Sequence, residues 1–115
     1  MTGGGHPDGG LAALAAAHCQ PNAPRVPDAE LRARLPALPG WTQKARAIEK
    51  TFAFANYHET MAFVNAVAFI AHREDHHPDL GVHYNRCTVT YSTHSAGGVT
   101  QNDLICAARV EILLK

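Results

Sequence analysis

A stripe of apolar residues that runs into a forced break limits this chain's folding choices more than any other feature. Phe63, Ala66, Val67 and Ile70 recur at i, i+3, i+4 and i+7, the spacing that lines one side of an α-helix. Its start is marked by Asn56-Tyr57-His58-Glu59, where an Asn cap and an acid three residues on resemble a capping box. Its end is set by Pro78, which lacks a backbone donor and drives its predecessor out of helical conformation. The helix therefore stops around residues 75–77, and His76 and His77 fall on its last turn or just past it. A helix with one apolar side needs a surface to cover it.

Two pairs of alternating segments supply that surface. Residues 41–45 and 48–54 read as a hairpin in which Ile48, Phe52 and Phe54 share one face and Lys50 interrupts it at an edge. A turn region containing Pro78, Asp79 and Gly81 leads to a short strand at 82–84 and a stronger one at 87–93. Cys87, Val89 and Tyr91 face one side of it; Thr88, Thr90, Ser92 and, if the strand continues, His94 face the other. At the ends, Asp28 is placed to cap a short helix through Leu31, Leu35 and Leu38, stopped by Pro36 and Pro39-Gly40. Thr100 and Asp103 fit a capping box for a last helix carrying Ile105, Cys106, Val110, Leu113 and Leu114, with Glu111 and Lys115 as an exposed i,i+4 pair. The order α-β-β-α-β-β-α predicts an α+β fold of two layers: a four-stranded antiparallel sheet with helices packed on one face.

Composition narrows the function classes. In 115 residues, 46% hydrophobic and 17% charged suit one domain with one core. Ten basic and ten acidic residues give zero formal charge, so neither nucleic acid nor an anionic membrane is an expected partner. No apolar run reaches the ~18 residues of a membrane span. Cys19, Cys87 and Cys106 are odd in number, widely spaced and without a CxxC, which argues against a disulfide framework or a thiolate zinc site and for a reducing, cytoplasmic setting. The start lacks the charged region of a signal peptide. Residues 1–26 hold five of nine glycines and three of seven prolines, so they are expected to be a flexible arm before a domain at 27–115.

The unusual number is eight histidines. His6, His18, His58 and His83 read as surface or satisfied core residues. His76 and His77 differ, because the negative end of a helix favours imidazolium and suits proton chemistry near neutral pH. A metal site is the competing reading: His72 and His76 are spaced i,i+4, and His77 and His94 would complete a cluster. The run His72-Arg73-Glu74-Asp75-His76 is not the H-E-x-x-H signature, since its acids stand at the wrong positions. Asp103 reads first as a capping acid and second as an acid that orients a histidine.

The run Glu74-Asp75-His76-His77-Pro78-Asp79, the later Tyr91-Ser92-Thr93-His94-Ser95, then Gly98-Val99-Thr100 and Asp103 strongly resemble the pterin-4a-carbinolamine dehydratases. Leu38-Pro39-Gly40-Trp41, Phe52-x-Phe54 and Ala107-Ala108 agree with it. The resemblance covers roughly residues 26–115 and implies the same sheet-and-helix fold, a homodimer or homotetramer, and no metal or organic cofactor. It implies dehydration of 4a-hydroxytetrahydropterin to quinonoid dihydropterin, in service of an aromatic amino acid hydroxylase. The family's three active-site histidines carry over to His76, His77 and His94. Its pterin-contacting stretches match Asp75, His76 and His77 and Ser92, Thr93, His94 and Ser95. His72 stands where many members have an acid. Other relatives of the fold are non-catalytic binding or assembly partners, the second class of function.

Overall fold

The computed structural model describes residues 10–115, and its elements assemble around the helix that the apolar stripe demands. Helix α3 spans Tyr57–Glu74. The Asn56 side chain accepts the Glu59 N–H at 2.9 Å, and the Glu59 carboxylate accepts the Ala55 N–H at 3.0 Å, so two otherwise orphaned donors near the helix start are satisfied. Phe63, Val67 and Ile70 are buried. At the other end Asp75 takes a left-handed conformation, φ 51°. Its N–H returns to the His72 carbonyl and the His76 N–H to the Ala71 carbonyl, the paired closure of a Schellman motif made without the usual glycine. That closure aims His76 back toward the core, while Pro78 starts the chain on its next strand.

Strands β1 (Thr42–Lys44), β2 (Ala47–Ala53), β3 (Asp79–His83) and β4 (Arg86–Tyr91) form an antiparallel sheet in the order β1-β2-β4-β3. The register sets Ile48 opposite Tyr91, Lys50 opposite Val89 and Phe52 opposite Cys87. Ile48, Cys87, Val89 and Tyr91 are fully buried under the helices. The other face is polar, with Thr51 and Thr88 hydroxyls 2.8 Å apart and Thr90 donating to Glu49 at 3.1 Å. β3 begins at Asp79, three residues before the short strand expected at 82–84, because pairing with β4 draws Asp79 and Gly81 out of the turn assigned to them.

Helix α4 (Gln101–Ile112) is enclosed on nearly every side, and its capping box forms as expected from Thr100 and Asp103. The expected Glu111–Lys115 surface pair does not form. Glu111 is buried and accepts from Lys50 Nζ at 2.6 Å and from Trp41 Nε1 at 2.9 Å. This pairing explains how Lys50 stands on the inner face of the sheet: its ammonium lies 4.8 Å from the centre of the Phe52 ring and meets a buried acid.

Two expectations near the N-terminus change. Asp28 is the first residue of helix α2 (Asp28–Arg34) and makes no capping bond, since Pro27 occupies the cap position. The flexible arm expected over 1–26 does not hold for residues 10–26. Helix α1 (Leu11–Ala16) packs on α4, buries Leu14, and Val26 joins the core. The short Ala-rich stretch supplies little apolar area, but α4 offers it a ready surface. Residues 1–9 of that arm, His6 included, lie outside the described residues.

Candidate active site

The Schellman turn after α3, the end of β4 and the first turn of α4 meet at His76. Its Nε2 lies 2.5 Å from Asp103 Oδ1, and its ring stacks on that of Tyr91 with planes 10° apart. Asp103 is fully buried, and its Oδ2 accepts the Thr100 N–H and the Thr93 hydroxyl, each at 2.8 Å. A buried carboxylate can only accept, so the shared proton sits on His76 Nε2, leaving Nδ1 for a ligand. The hydrogen bond to Asp103 raises the His76 pKa above its ordinary value; burial opposes the rise, and the Asp103 charge adds to it. Asp103 is thus both cap and partner of a histidine, and that histidine is His76. The reading of Asp103 as a cap alone is corrected by this contact.

A cavity of about 420 Å³ opens beside His76, a size that suits a small heterocycle. Asp75, His76, Thr93 and Ser95 line it, together with Asn102 and residues 19–23. The remaining residues expected at the site lie outside this lining. His77 follows His76 into the loop and is exposed. Ser92 donates to the Arg46 carbonyl at 2.8 Å. His94 is exposed and opens a short 3-10 turn, His94–Ala96, because β4 ends at Tyr91 and does not carry the alternation on to it. Among the described residues, no three His, Cys, Asp or Glu side chains gather as metal ligands, so the cluster of His72, His76, His77 and His94 does not form.

Sequence reasoning missed Glu74, Asn102 and the segment 19–23. Glu74 stands in the motif run and in the histidine run, but nothing local marks it as a clamp, because its hydrogen-bond partners are 55 and 56 residues away. Buried Tyr91 is held protonated, chiefly by desolvation, and its ring serves as a platform for His76.

Residues 24–113 match the family model described as pterin 4 alpha carbinolamine dehydratase. A Xanthomonas campestris pv. campestris protein named for pterin-4-alpha-carbinolamine dehydratase is 54% identical over 105 residues, covering 87% of this chain and 89% of its own. A Xylella fastidiosa protein of the same name is 51% identical over 108 residues, covering 90% and 93%. A Brucella melitensis transcriptional coactivator/pterin dehydratase shares the fold with a TM-score of 0.76 and 33% identity, over 79% of this chain and 99% of that one. A pterin dehydratase-like protein that is a RuBisCO assembly factor in the alpha-carboxysome matches with a TM-score of 0.53 and 26% identity, over 64% and 84%. The chain belongs to the pterin-4a-carbinolamine dehydratase family.

Proposed function

We propose that this chain dehydrates 4a-hydroxytetrahydropterin to quinonoid dihydropterin, recycling the pterin used by an aromatic amino acid hydroxylase. The observation that carries the reading is His76, hydrogen-bonded to a buried carboxylate and set in the wall of a cavity of heterocycle size. In the reaction the 4a-hydroxyl takes a proton and leaves as water, the N5 proton is removed, and a C4a–N5 double bond forms. His76 and His94 divide the acid and base steps, and His77 positions the pterin. Asp75, Thr93 and Ser95, which line the cavity, offer acceptors and hydroxyls to the amide and amino edge of the ring, while the Ser92 hydroxyl is engaged by the Arg46 carbonyl. Nothing in this scheme calls for a metal or an organic cofactor.

The test is turnover of freshly generated 4a-carbinolamine by purified protein. His76→Ala and His94→Ala should each lower kcat by about 10²-fold, the usual scale for a lost acid or base. Wild-type kcat in either variant removes that residue from the mechanism. EDTA should leave the rate unchanged; loss in EDTA with recovery on added zinc would favour metal chemistry. A homodimer or homotetramer is part of the proposal and is read by light scattering.

A further inference from the structure

The segment before α2 is held against the site by buried polar groups on both flanking helices. On α4, the Asn102 side chain accepts the Gln20 N–H at 2.9 Å and donates to the Gln20 carbonyl at 2.8 Å. On α3, Glu74 accepts the Cys19 N–H at 2.8 Å and sits 3.0 Å from His18 Nδ1. Arg109 donates to the Ala17 carbonyl at 2.6 and 3.2 Å. The Glu74 side chain is only 3% exposed. Burying a carboxylate is costly unless donors and a counter-charge meet it; here the Cys19 N–H donates to it, His18 lies beside it and the Arg109 guanidinium is 3.6 Å away. Asn102 is the neighbour of Asp103, so one turn of α4 fixes both His76 and the segment facing it. Residues 19–23 all line the His76 cavity.

We propose that residues 19–23 form the substrate-facing wall of the pterin cavity and that Asn102 is the residue that positions it. This rests on the pterin reading of the site. A flat heterocycle gains affinity from surfaces already in place, because a loose wall must be ordered on binding. Asn102 touches the main chain of the wall rather than the reacting atoms, so it governs affinity more than proton transfer.

The probe is 7,8-dihydropterin, whose binding is followed by fluorescence alongside carbinolamine turnover. Asn102→Leu removes both bonds to Gln20 at similar size, and should raise Kd and KM about tenfold. Its kcat should fall by less than about twofold with the pH profile unchanged, since the His76–Asp103 pair is left in place. Ala23→Leu leaves the clamp intact and intrudes on the cavity from the wall; it should weaken binding to a similar degree, and it decides the matter if Asn102→Leu does not fold. Wild-type Kd in Ala23→Leu, or failure of the wild-type protein to bind dihydropterin, overturns the proposal. Dihydropterin binding that both variants weaken, in a protein that does not dehydrate the carbinolamine, supports the wall and counts against the dehydratase reading instead.

Discussion

Asp103 serves three donors at once, and its substitution separates their contributions. Asp103→Asn keeps the shape but removes the charge facing His76. Turnover should fall by about 10- to 100-fold, and the pH profile should shift to lower pH as the imidazolium loses its partner. Stability responds as well. The folded pKa of His76 is raised from 6.5, so its contribution is fully present below about pH 6.5 and is lost as pH climbs through the raised value. Thermal melts of wild type between pH 6 and 9 should show that decline, and Asp103→Asn should flatten it. A variant with an unshifted rate profile would return Asp103 to the role of cap. The capping role was legible in Thr100-Gln101-Asn102-Asp103 because caps are local. The contact with His76, 27 residues away, has no local signature.

Elements were read well wherever one period dominated. The α3 stripe, the Cys87-Val89-Tyr91 face and the α4 capping box each rest on a repeat of 3.6 or 2, and the structure has all three. The misreadings arose where pairing or burial outweighed composition. Asp79 and Gly81 looked like turn residues until β4 gave them a partner strand, and Glu111 looked exposed because its partners are Trp41 and Lys50. Removing Glu111 should show how much that pairing holds: Glu111→Ala leaves Lys50 facing an apolar layer and should cost about 3 kcal/mol in urea melts. A cost below about 1 kcal/mol would reduce the pair to a surface contact. At the β1–β2 turn, Ala45 has φ 54°, a conformation that penalises any Cβ. Ala45→Gly should therefore raise stability by about 0.5–1 kcal/mol, net of the entropy glycine adds to the unfolded chain.

For the molecule as a whole, the expectation least well met was the loose N-terminus. Glycine and proline content argued for mobility, yet Leu14 is 2% exposed and α1 lies along α4. Composition counts the cost of ordering a segment but not the surface waiting to receive it. Leu14→Ala should lower stability by about 2–3 kcal/mol if the whole domain melts as one unit. An unchanged melting temperature would mean that α1 detaches on its own before the domain unfolds.

The Thr100 amide donates to the same carboxylate that holds His76, which turns it into a built-in gauge of the site. Its proton can exchange with solvent only when that carboxylate lets go, an opening that also releases the histidine. A ligand that binds the closed site adds its binding free energy to the cost of that opening. Exchange at a backbone amide that no substrate touches would then slow in step with occupancy, reporting cavity filling through the lifetime of a helix cap.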